Sequence, residues 1–256
     1  MFGTIIIDAY KKDEKDIIAE ALDELCSPMD NYGWASAGVY CYWNYYTKQV
    51  YYIGLAVDLC ERFKQHNGLI AIDDNSCKKK QIDDYFKSHE KLGFSIFVQS
   101  PLSQPITSKN KKKYEGFFDK WSPIENYIGN EGKEHIKRVE GVLIEAYRKI
   151  HSSFPIWNKV GGSIEGQKAS KKESYEIINL FKEFNPNPIV SRSSLRELAD
   201  NPTLERYENF LHSVRMTVFH SGLSYEKSLE YHKSMSIIDT YGEMLKVGYF
   251  EKELKI

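Results

Sequence analysis

The chain has 256 residues, 41% hydrophobic and 28% charged, with a formal net charge of −1. That composition fits a soluble globular protein, and the length allows one large domain or a medium domain with a smaller companion. No apolar run approaches the roughly 20 residues needed to span a bilayer, and a near-neutral balance does not by itself announce a nucleic-acid partner.

The first residues, MFGTIIIDAYKKDEKD, carry a very short apolar run with acidic groups close behind, unlike a signal peptide. Residues 13–25 place Ile17, Ile18, Ala21, Leu22 and Leu25 at helical spacing, which predicts an amphipathic helix. The stretch GVYCYWNYYTKQVYYIG, residues 38–54, reads as a β-hairpin, since aromatic and β-branched residues suit a pleated surface and Asn44 to Lys48 can turn the chain. Residues 56–66 read as a helix stopped by Asn67-Gly68, and 93–99 as a third strand. A Pro/Ser/Lys-rich stretch follows from Pro101 to Lys113. Residues 133–150 form a strong helix with Ile136, Val139, Val142, Leu143, Ala146, Tyr147 and Ile150 on its apolar stripe.

After Trp157-Asn158-Lys159-Val160-Gly161-Gly162 the character changes to a polar segment and then helices. Ser194-Leu195-Arg196-Glu197 has the form of a capping box, and Leu204–Phe219 and Tyr225–Leu245 are long helical patterns. A boundary is expected near 163–172, dividing the chain into a domain over 1–164 and a helical region over 165–256. The four cysteines, Cys26, Cys41, Cys60 and Cys77, show no metal-type spacing, and Cys41 and Cys60 read as core residues. A reduced, cytoplasmic setting is the expectation.

The polar residues carry the chemistry. Arg62 and His66 are four apart and share a helix face. Glu140 stands at the edge of an apolar stripe. Gly38-Val39-Tyr40, eleven residues and then Tyr52-Ile53-Gly54 resemble the paired signature of the GIY-YIG nuclease superfamily. Arg62 falls where that family's helix carries its arginine, and His66 matches the histidine of one branch. Glu140 with Leu143-Ile144 resembles the metal-binding glutamate helix, and Asn158 the asparagine that closes the module. The resemblance covers roughly residues 36–162 and departs from the pattern in two places: Val39 stands for isoleucine, and an insertion lies around 100–132. The insertion and the Arg-x-x-x-His pair point to the restriction-endonuclease branch.

The resemblance implies an α+β fold: a small three-stranded antiparallel sheet flanked by helices, followed by an all-helical C-terminal region. It implies a metal-dependent endonuclease acting on double-stranded DNA, with Glu140 holding Mg²⁺ or Mn²⁺. The sites implied are Tyr40, Tyr52, Arg62, His66, Glu140 and Asn158. Tyr40 is the favoured general base, with Tyr52 and His66 relaying or orienting the proton, although the tyrosine roles are exchangeable. Arg62 would clamp the scissile phosphate, and Asn158 would hold the phosphate or the local backbone. A palindromic target would be served by a homodimer. Lys111, Lys112 and Lys113 of the insertion are expected to contact phosphates; the C-terminal region is close to charge-balanced and better suits a dimer interface, or a docking surface with only a small contact patch. The alternatives are a catalytically silent nucleic-acid-binding or regulatory protein that keeps the fold, and a repair or homing nuclease.

Overall fold

The computed structural model describes residues 2–26, 36–71, 77–100, 103–105, 131–184 and 187–256. Strands β1 (Phe2–Lys11), β2 (Gly38–Asn44), β3 (Val50–Ala56) and β4 (Lys91–Gln99) form one antiparallel sheet in the order β1-β4-β2-β3. The helices are α1 (Lys15–Cys26), α2 (Leu59–His66), α3 (Lys79–Tyr85), α4 (Glu131–His151), α5 (Ile164–Ala169), α6 (Ser174–Leu180), α7 (Leu195–Asp200), α8 (Pro202–Ser221), α9 (Tyr225–Met235) and α10 (Thr240–Lys246). None of them is long and apolar enough to cross a membrane.

The sheet has four strands rather than the expected three. The addition is β1, whose two faces are both covered: Ile6 and Tyr10 join one core cluster, and Phe2, Ile5 and Ile7 the other. A strand buried on both sides shows a continuous apolar run instead of alternation, and so lacks the period that identifies a half-buried strand.

The first face packs against α1, α2, α3 and α7, and the second against α4 and α6. Residues beyond 164 therefore enter both clusters: Leu195 and Leu198 the first, Ile178, Phe181, Val190 and Leu254 the second. The outer edge of β1 is met at Ile5 by an isolated parallel bridge from Val190. Helix α8 is tied to β1 by polar contacts. Arg215 donates to Glu208 at 2.8 Å and to Thr4 at 2.9 Å, all three side chains being buried. Arg196, at the start of α7, pairs with buried Asp8 of β1 at 2.9 Å.

The capping box at Ser194 and Glu197 forms as expected. The pattern over 225–245 is two helices rather than one, because Ser236 leaves α9 in an extended conformation and Asp239 caps α10. Among the cysteines, Cys41, Cys60 and Cys77 are buried.

Candidate active site

The hairpin forms over the expected residues. Asn44 closes its turn, the side-chain oxygen accepting from the Tyr46 and Thr47 N–H groups at 2.8 and 2.9 Å. One feature of its register decides the site. Tyr42 faces Tyr52, but Trp43 faces Val50, so Tyr51 is the extra residue of a β-bulge. Strict alternation would send Tyr51 and Tyr52 to opposite faces. The bulge turns both toward the first face, with Tyr40 and Tyr42, while Val50 and Ile53 enter the second cluster. Gly54 pairs with Tyr40, and a Cβ there would come within 2.7 Å of the Tyr40 hydroxyl and 2.6 Å of the Tyr52 ring. The glycine is the space into which both phenols fit.

Helix α2 brings Arg62 and His66 to this face. Asp58 caps it, accepting from the Glu61 N–H at 2.8 Å. His66, in the last turn, is buried, and its Nε2 lies 2.6 Å from the Tyr40 hydroxyl. Its Nδ1 accepts the Lys78 N–H at 3.0 Å. Burial, aided by Arg62 and Lys78, lowers the imidazole pKa to about 3, so the ring is neutral. With Nδ1 accepting, the proton sits on Nε2 and is donated to the Tyr40 oxygen. His66 therefore orients Tyr40 and is not poised to take its proton. The Arg62 side chain has no salt-bridge partner among the described residues.

The two phenols differ. Burial pushes Tyr40 well above the usual tyrosine range, and Tyr52 nearby pushes it further. Burial also raises Tyr52, but Tyr40's hydrogen bond and Arg62 draw it back down, against Glu140. Tyr40 is almost wholly buried whereas Tyr52 is partly open. Tyr52 is the phenol more readily ionised and more readily reached. A cation also overlies it: Lys78 Nζ lies 4.6 Å from the Tyr52 ring centre. Burial and neighbouring Lys159 both depress the Lys78 ammonium. Neither lysine stood out as a site residue, although Lys78 opens a short lysine run that is visible in the sequence.

Glu140 enters from α4. Its carboxylate is partly buried beneath the Gly161-Gly162 turn, where a Cβ on Gly162 would lie 3.4 Å from Oε2. Desolvation lifts its pKa to about 7. Among the described residues it has neither a hydrogen bond nor an ion pair. A partly buried carboxylate without a partner among the described residues is held at a cost and fits a cation ligand. Among the described residues no three His, Cys, Asp or Glu gather into a metal cluster. One carboxylate suits a hard cation that keeps most of its waters, as Mg²⁺ does, and not a zinc-type cage.

Asn158 holds backbone. Its Oδ1 accepts from the Ile53 N–H at 2.9 Å and its Nδ2 donates to the Ile53 carbonyl at 2.8 Å. Strand β3 is an edge, so this bracket satisfies polar groups that no fifth strand covers. Asn158 thus positions the tyrosine strand and is taken up by it. Lys111, Lys112 and Lys113, and nearly all of the expected insertion, lie outside the described residues. Tyr40, Tyr52, Arg62 and His66 meet on one face, with Glu140 close enough to Tyr52 to act on its titration. No family model, curated protein or solved structure matches the chain.

Proposed function

We propose that the protein is a metal-dependent DNA endonuclease of GIY-YIG type, restriction-like in its substrate. One observation carries this reading. A guanidinium (Arg62) and a partly buried carboxylate (Glu140), neither with an ion-pair partner among the described residues, both act on Tyr52 yet make no ion pair with each other. Opposite charges left apart in one site leave room for a ligand that brings both signs. A phosphodiester with a divalent cation has that character.

In this reading the Arg62 fork binds the scissile phosphate and offsets the charge that develops on it. Tyr52 acts as general base toward the attacking water. Its phenolate is supported by a line of donors: the Lys78 N–H to His66, His66 Nε2–H to Tyr40, and the Tyr40 hydroxyl to Tyr52. The roles of the two tyrosines are thereby exchanged relative to the expectation from sequence. Lys78, above the Tyr52 ring, adds positive potential. A Mg²⁺ or Mn²⁺ ion held by Glu140 would supply Lewis-acid stabilisation of the leaving oxygen and cancel the carboxylate's effect on Tyr52. Asn158 keeps β3 in register.

The partner in this proposal is double-stranded DNA, cut by a homodimer, since one constellation per chain cuts one strand per event. The dimer draws support from the exposed apolar residues Met235, at the end of α9, and Ile237 and Ile238, between α9 and α10. The test is plasmid cleavage with Mg²⁺. Wild-type protein should nick or linearise DNA, while Glu140→Ala and Arg62→Ala should be inactive, with Glu140→Ala still binding. Undiminished cleavage by Glu140→Ala would overturn the metal assignment, and an inactive wild-type protein the reading as a whole.

A further inference from the structure

Beside the tyrosines lies a second feature that the cleavage chemistry does not use. It is an open cavity of about 300 Å³ walled by Tyr51, Tyr85, His89 and Trp157, with Gln81 and Asp84 along its edge. Its volume is at the lower end for a small-molecule site and suits one planar ring system. The wall rings brace one another: Tyr51 to Trp157 is 5.1 Å at 54°, and Tyr51 to Tyr85 is 5.7 Å at 79°. His89 stacks on Tyr85 at 4.4 Å and 10°.

The walls are held in place by the backbone. The Trp157 N–H donates to the Tyr51 carbonyl at 2.8 Å, and the Tyr85 hydroxyl to the Lys91 carbonyl at 2.8 Å. The Tyr51 hydroxyl accepts from Asn44 at 3.0 Å. Among the described residues, no hydrogen bond engages the indole N–H of Trp157 or the side-chain amide of Gln81, two of the lining residues. Preformed aromatic faces with an indole donor and an amide at the rim match a nucleobase, which has a π-face and a donor–acceptor edge. Asp84 is engaged by Lys87 at 2.6 Å, so among the described residues no free charge on the rim favours a charged peptide side chain.

Position supports the same ligand. Two walls are direct chain neighbours of site residues, Tyr51 of Tyr52 and Trp157 of Asn158, and consecutive Cα atoms are about 3.8 Å apart. The bulge that brings Tyr52 to the tyrosine face is the same bulge that places Tyr51 in this wall. Lys78, over Tyr52, immediately precedes α3, which supplies Gln81, Asp84 and Tyr85. We propose that this pocket receives one unstacked nucleobase of the strand whose phosphate is held at the tyrosines. The proposal rests on the nuclease reading for the identity of that strand.

The experiment measures binding of short labelled single-stranded oligonucleotides to the full chain in EDTA, so that no cleavage intervenes. Each oligonucleotide is compared with an abasic one of equal length and identical backbone. Wild-type protein should prefer the base-bearing strand by roughly tenfold or more, the effect of one good stacking site. Trp157→Leu and Gln81→Ala should each reduce that preference while leaving abasic binding and its salt slope unchanged. Equal affinity for base-bearing and abasic strands in the wild-type protein overturns the proposal without recourse to any variant. So does a preference that survives in folded Trp157→Leu. Plasmid cleavage with Mg²⁺, run in parallel, separates the two readings. Base preference without cleavage sinks the nuclease and keeps the pocket; cleavage without base preference does the reverse.

Discussion

Replacing Glu140 by Gln should stabilise the metal-free protein at alkaline pH and change little in acid. The unfolded carboxyl titrates near 4.5 and the folded one at about 7. Below 4.5 both states hold the proton and nothing is lost. As pH rises through the interval, the unfolded chain ionises first and native stability falls; above 7 the whole penalty is in place. At about 1.4 kcal/mol per pH unit, the ceiling is about 3 kcal/mol. Glu140 is only partly buried, and solvent relaxation brings the expected gain for the amide to about 1–2 kcal/mol. In a chain of this size that raises Tm by about 3–6 °C. The assay is thermal unfolding followed by circular dichroism in EDTA, for both proteins, near pH 4 and near pH 8. Gln keeps the volume of Glu, so the difference isolates the charge. Adding Mg²⁺ near pH 8 should then stabilise the wild-type protein and not the variant, since only a ligand of the native state shifts the midpoint. Parallel pH profiles for the two proteins, or a less stable Gln variant near pH 8, would refute the argument that Glu140 is held at a cost.

Tyr52→Phe should lower turnover by about a hundredfold or more at unchanged DNA affinity, because in the proposed mechanism it removes the proton acceptor. Tyr40→Phe, which removes one supporting donor, should lose less; the reverse ranking in single-turnover kinetics returns the base to Tyr40. Arg215→Ala should cost about 3–5 kcal/mol in urea unfolding, since it strands buried Glu208 and frees Thr4 of β1. A loss under about 1 kcal/mol would mean that α8 does not hold β1 through this pair.

What could be read from the sequence is local. The hairpin, α2 with its Asn67-Gly68 stop, α4 and the Ser194 capping box each depend on residues a few positions apart, where side-chain period and capping chemistry act directly. The order of Tyr40, Tyr52, Arg62, His66, Glu140 and Asn158 along the chain was equally visible, and it nominated them together. Tertiary structure decided the features that need a distant partner. β1 is a strand because β4 pairs with it while helices from beyond residue 164 help to cover its faces, and that double burial erased its period. The bulge at Tyr51 is a matter of register against β2, and a single extra residue redirects two tyrosines at once. The proton on His66 is placed by the N–H of Lys78, twelve positions away, and the amide of Asn158 is taken up by Ile53, 105 positions away. In each case residue type specifies what a group can donate or accept, but only the closed chain specifies what it meets.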